Sequence, residues 1–173
     1  MNVLLVVTGA SHMLSETVRA FRDCSAKVDV AFTVSGEMVS KSLGFEKNFK
    51  AFAKNVFYES AVGASPMSIV RLSMYDRIIV APASANTCAK IAHGIADSLA
   101  SNIVAQALKR NVEVFVLPTD TAPNVKSAWK DGFVEIKCRK IDLENMQRLK
   151  EQGEVKILES PKKISEIIRP DSS

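Results

Sequence analysis

The residues of this chain that could do chemistry together stand in four short loops. They are Thr8-Gly9-Ala10-Ser11-His12, Thr33 with Ser35-Gly36, Pro82-Ala83-Ser84-Ala85-Asn86-Thr87, and Pro118-Thr119-Asp120-Thr121. Each follows a short apolar run. Each is rich in hydroxyls, amides and small residues, and none carries a catalytic triad. Hydroxyls and the amides of a helix start donate to phosphate oxygens, and the helix dipole favours the negative charge. Small residues let the backbone approach a ligand closely. The expected ligand therefore offers one phosphate and a polyol. Gly9 lacks the partner glycines of a G-x-G-x-x-G fingerprint, and the G-x-x-x-x-G-K-[ST] loop is missing too. A mononucleotide fits better than a dinucleotide or a nucleoside triphosphate. Serine and threonine after a strand also serve as plain helix caps. Residue types alone thus reach no further than a ligand-binding α/β domain.

Such loops need strands and helices to carry them. Val3 to Val7 is a continuous apolar run, as in a strand buried on both faces. Val28–Thr33 reads as a second strand, Arg77–Ala81 as a further buried strand and Val112–Leu117 as another, the last two ended by Pro82 and Pro118. Helices are expected at Met13–Cys24, where Leu14, Val18 and Phe21 share a face, and at Glu37–Leu43, stopped by Gly44. Others follow at Lys47–Lys54 and across Ala85–Arg110, broken near Gly94. Val56–Tyr58 reads as a short strand, and Ser65 with Pro66 as a helix start. Beyond these, Ala122–Asp131 is expected to be an exposed loop, Val134–Lys137 a strand, Leu143–Lys150 a helix and Val155–Leu158 a strand. Pro161 opens a terminal helix. Strands alternating with helices predict an α/β fold. Right-handed crossovers make it a doubly wound, mostly parallel sheet in a Rossmann-like or flavodoxin-like three-layer sandwich. Its ligand would bind beyond the carboxyl ends of the strands, at the switch point. One domain is expected over residues 1–169, with 170–173 a disordered tail.

Composition narrows the classes. The chain is 47% hydrophobic and 24% charged, which is the balance of a globular protein. Its net charge of +4 comes from scattered basic residues, with small concentrations at Lys137, Arg139, Lys140 and at Lys162, Lys163. That scatter argues for a solvated surface and against nucleic-acid binding; a mildly basic face for an acidic protein partner is also open. No apolar run approaches the roughly 20 residues that span a bilayer. Met1 to Val7 lacks a basic flank and a small-residue cleavage site, so it reads as a strand and not a signal peptide. Cys24, Cys88 and Cys138 are odd in number and widely spaced, without metal-ligand spacing. Free thiols in a reducing cytoplasm account for them, and no metal is expected.

One segment carries a resemblance. Pro82-Ala83-Ser84-Ala85-Asn86-Thr87 follows a strand, and Ala89-Lys90-Ile91-Ala92-His93-Gly94-Ile95-Ala96-Asp97 follows it. This resembles the signature of the homo-oligomeric flavin-containing cysteine decarboxylase superfamily, over roughly Val3 to Thr121. Within it, Thr8-Gly9-Ala10-Ser11-His12-Met13-Leu14 and the tail from Lys140-Ile141-Asp142 to Glu159-Ser160-Pro161 look most like archaeal FMN flavoproteins. These are the archaeoflavoprotein and dihydromethanopterin reductase types. The decarboxylases carry a catalytic His after the second strand, and Val34 to Phe52 holds none. They also carry Pro-x-Met-Asn where this chain has Leu117-Pro118-Thr119-Asp120-Thr121.

The resemblance implies FMN as cofactor, held where subunits of a homo-oligomer meet. It places Gly9, Ala10 and Ser11 on the phosphate and ribityl side. Thr33 and Ser35 would contact the ribityl chain or phosphate, and Ser84, Ala85, Asn86 and Thr87 would sit against the ring. Ser65, Met67 and Ser68 would reach a flavin across a subunit boundary. No catalytic side chain is assigned. The implied work is cytoplasmic redox transfer, from a donor such as ferredoxin to a protein or small-molecule acceptor. Alternatives are a dihydromethanopterin reductase, a flavin-dependent decarboxylase or prenyltransferase, and a non-catalytic interaction protein. Several residues stay open between roles. His12 could face the flavin or position a helix, and Asp97 could cap the next helix or make a family contact. Trp129 could cover a flavin or pack. Plainer readings are core packing for Cys88, packing or exposure for His93 and solvation for Lys90.

Overall fold

A run without polar side chains needs cover on both faces, and Val3–Val7 of β1 (Asn2–Val7) has it. Val3, Leu4, Leu5, Val6 and Val7 are all 0% exposed. The computed structural model describes residues 1–22, 24–65, 72–129 and 132–169. In it the side chains of β1 alternate between two cores, as a period of two requires. Val3, Leu5 and Val7 join one, Leu4 and Val6 the other. β4 (Arg77–Ala83) splits in the same way, with Ile79 and Ala81 on the first side and Ile78 and Val80 on the second.

The first core is roofed by α1 (Leu14–Arg22), α3 (Glu46–Phe52) and α8 (Pro161–Ile167), which contribute Leu14, Val18, Phe21, Phe49 and Ile164. The second lies under α5 (Ala85–Ala92), α6 (Leu99–Leu108) and α7 (Lys140–Gln152), which contribute Cys88, Ala92, Leu99, Ile103, Val104 and Leu149. This is the expected three-layer, doubly wound arrangement. The sheet adds β2 (Lys27–Phe32), β3 (Ala53–Tyr58), β5 (Glu113–Pro118) and β8 (Lys156–Ile157) in the order β3-β2-β1-β4-β5-β8, every pair parallel. The chain winds outward from β1 to one edge and from β4 to the other. The switch point therefore lies between β1 and β4, and ligands of such sheets bind beyond the carboxyl ends of the strands there.

Several boundaries differ from expectation. Met13 has φ of 62°, which no right-handed helix accepts, so α1 starts at Leu14. Thr33 caps α2 (Val34–Ser42), which begins three residues before the expected Glu37. Ala53 and Lys54 belong to β3 and not to the preceding helix, and β4 runs through Pro82 to Ala83. The largest correction is at 122–131. Asn124–Trp129 is a strand, β6, paired antiparallel with β7 (Gly132–Lys137) in a separate two-stranded ribbon. Its sequence, Asn-Val-Lys-Ser-Ala-Trp, lacks a regular apolar–polar alternation; the ladder to β7 supplies the order. The helix start expected at Pro66, the side chain of Trp129 and the tail 170–173 lie outside the described residues or side chains. Among the described residues no helix is long and apolar enough to cross a membrane.

Candidate functional site

The switch point is built first by a threonine. Thr8 follows β1, and its hydroxyl donates to Pro82 O at 2.7 Å while accepting from Ser84 N at 2.9 Å. This buried bridge locks the loop after β1 to the loop after β4. On the other flank, α2 lies hard against β1. A Cβ placed on Gly36 would fall 2.2 Å from Val7 O. Thr33 N donates to the same carbonyl at 3.0 Å. The loops themselves touch, because a Cβ on Gly9 would lie 2.6 Å from Ser35 Cβ. Thr8–Ser84 and Gly9–Ser35 thus join three strand ends into one wall.

That wall presents donors. Among the described residues, none of the five backbone amides from Gly9 to Met13 donates a hydrogen bond. At the start of α2, Val34 N is taken by Glu59 Oε2, Gly36 N by Thr33 Oγ1 and Glu37 N by Thr33 O, which leaves Ser35 N. At the start of α5, Ser84 Oγ accepts from Thr87 N and Ser84 O from Cys88 N, which leaves the amides of Ala85 and Asn86. Unpaired amides at helix starts are natural partners for anions and ligand oxygens.

The expected site residues fall into two groups. Gly9, Ala10, Ser11, Ser35, Ser84, Ala85, Asn86 and Thr87 share this edge of the sheet, with Ser35 and Asn86 exposed. Thr33 is there too, but its hydroxyl is engaged as the cap of α2, accepting from Gly36 N at 3.0 Å. Ser84 and Thr87 bond each other, Oγ to Oγ1, at 3.1 Å. Ser65 is exposed beyond β3; Met67 and Ser68 lie outside the described residues.

Two residues escape sequence reasoning. Ser127 of β6 is 1% exposed, and its Oγ lies 2.8 Å from Ser11 Oγ, so the ribbon is tied to the first loop. Nothing local marks that serine. Glu59 follows β3 and binds the first amides of both α2 and α6. An acidic residue ending a strand run is its only signal.

The remaining candidates have ordinary roles. His93 is exposed at the end of α5, with Nε2 2.9 Å from Asn145 Oδ1. Ser98, and not Asp97, caps α6; Asp97 instead pairs with Lys90 at 2.7 Å, so Lys90 is not merely solvated. Cys88 is buried in the second core, in line with its plainer reading. Burial, with a smaller push from the charge of Asp120, drives its thiol up to about 12. The thiolate is the reactive form. Cys88 in the native protein is therefore expected to resist iodoacetamide at pH 8, alkylating only after denaturation. Labelling followed by peptide mass spectrometry reads this out, and rapid native labelling would contradict it.

The chain is similar to proteins of known family and structure. The family described as Flavoprotein matches residues 1–172. Two dihydromethanopterin reductases (acceptor) are similar to the chain. That of Methanosarcina mazei is 32% identical over 77% of this chain and 61% of its own. That of Methanocaldococcus jannaschii is 28% identical over 96% of this chain and 95% of its own. Among solved structures, DmrB of Burkholderia xenovorans, in complex with FMN and described as a cubic protein cage for redox transfer, superposes with a TM-score of 0.80. The two are 28% identical over 96% of this chain and 92% of that one.

Proposed function

Because the chain belongs to the flavoprotein family, and its cofactor is accordingly FMN, we propose that it is a redox protein that takes electrons from a protein donor and passes them on. The observation that carries this reading is the donor wall of Gly9–Met13, Ser35, Ala85 and Asn86 at the switch point. It fits FMN in kind. Amides without partners suit the phosphate, hydroxyls and small side chains suit a polyol, and the Gly9–Ser35 contact leaves no room for larger side chains.

In this reading Gly9, Ala10 and Ser11 hold the phosphate and ribityl side, with Ser35 beside them. Thr33 acts through the cap that fixes α2. Ser84, Ala85, Asn86 and Thr87 face the ring; the Asn86 amide can hydrogen-bond a ring edge and so tune the flavin. Ser65, Met67 and Ser68 serve a neighbouring subunit's flavin. FMN itself, once bound, supplies the electron-accepting and electron-releasing chemistry.

The protein works as a cytoplasmic homo-oligomer, and a ferredoxin-like protein is the proposed donor. A second reading, dihydromethanopterin reductase, is favoured by the two similar reductases. The purified protein is expected to show an oxidised-flavin visible spectrum that bleaches on anaerobic reduction and recovers in air. Turnover with dihydromethanopterin separates the two readings. A colourless protein that ignores added FMN would sink both.

A further inference from the structure

Two helices start on one carboxylate. α4 (Glu59–Val62) opens at the carboxyl end of β3, and Glu59 is its first residue. Its Oε2 accepts from Val34 N at 3.0 Å and its Oε1 from Leu99 N at 2.7 Å. These are the first amides of α2 and α6, which no carbonyl within either helix can serve. Ser60 grips α2 a second time, its hydroxyl donating to Glu37 Oε2 at 2.7 Å. A carboxylate suits the place in two ways. Both of its oxygens accept, and its charge faces the positive ends of two helix dipoles. A glutamine there would keep one acceptor and turn an NH2 donor on the other amide.

The grip reaches the cofactor wall. Val34 precedes Ser35, and Ser35 Cβ is the atom that a Cβ on Gly9 would strike. A shift at the start of α2 therefore moves the flank of the loop that carries the open amides. We infer that Glu59 is a positioning residue of the cofactor site, tying the first turn of α2 to the first turn of α6 at the edge of the sheet so that Ser35 and the Gly9 loop keep the spacing FMN requires. This rests on the FMN reading above. Glu59 touches no reacting atom; it acts through the backbone of α2.

The test uses the full chain without flavin, with Glu59→Gln, which keeps the shape, and Glu59→Ala. The first readout is hydrogen exchange at the amides of Val34 and Leu99. Both variants should exchange about tenfold faster or more there, with β1 and β4 unchanged. The second is FMN affinity by quenching of flavin fluorescence, expected to be about tenfold weaker in both variants. Formate should restore much of it in Glu59→Ala, while chloride at equal ionic strength should not, because only formate returns a carboxylate to the two amides. A packing role alone would show no such rescue. Unchanged exchange overturns the inference, and so does faster exchange with undiminished FMN affinity. If the wild type itself ignores FMN, the cofactor reading falls and takes the positioning role with it. The exchange result still decides whether Glu59 holds the two helices.

Discussion

Gly36→Ala is expected to destabilise the protein by about 3 kcal/mol, the upper part of the range for overpacking a tight contact. Helix propensity alone predicts the opposite sign, since alanine is better than glycine in a helix by about 1 kcal/mol. Distance decides between them. The added Cβ would sit 2.2 Å from Val7 O and 2.8 Å from Val7 C. Those are backbone atoms of the central strand, fully buried and paired on both sides. They cannot turn aside as a side chain could, so α2 must lift. Lifting strains the bond from Thr33 N to Val7 O and the seat of Ser35 beside Gly9. Urea unfolding of the flavin-free protein measures the change; the thermal midpoint should fall by about 9 °C for a chain of this size. A variant as stable as the wild type would mean that α2 floats freely on β1.

Gly9→Ala should act on binding more than on folding. Its Cβ would meet Ser35 Cβ at 2.6 Å, and that atom is fixed by the α2 backbone. Either the loop or the first turn of α2 must move, and both belong to the proposed cofactor wall. FMN affinity is expected to fall about 100-fold, or about 2.7 kcal/mol. Stability should fall by only about 1 kcal/mol, because Gly9 stands in a partly buried loop outside the strands and helices, which can give. Adding Ser35→Gly in the same chain removes the opposing Cβ and should recover most of the loss, less the contribution of the Ser35 hydroxyl. Fluorescence titration of the two variants and the wild type settles it. Undiminished affinity in Gly9→Ala would detach that loop from the flavin.

The two glycines also mark where sequence reading stops. Gly9 is legible as a small residue after a strand, and Gly36 as a break after the next. That each is squeezed against a particular atom of another element is not, because a glycine looks the same in sequence whether it is crowded or open. Gly44 is the contrast. It is expected to stop a helix, and its φ of 77°, with open space where a Cβ would stand, makes it a matter of backbone conformation alone.

Features that depend on near neighbours were legible from residue order. Apolar runs at Val3–Val7, Ile78–Ala81 and Val114–Leu117 require burial on both faces, and that forces a parallel sheet between helical layers. Ser84, a hydroxyl one residue before the helix expected from Ala85, caps α5; Thr33 caps a helix expected only from Glu37. Which loops touch was settled by the packed molecule. Ser11 meets Ser127 across 116 positions, and Glu59 serves amides 25 positions before it and 40 after it. β6 is ordered by its partner strand and not by its own residues. Such contacts depend on the path of the whole chain through the sheet. No local pattern of residues encodes them, because their bonds form only once distant elements have been packed side by side.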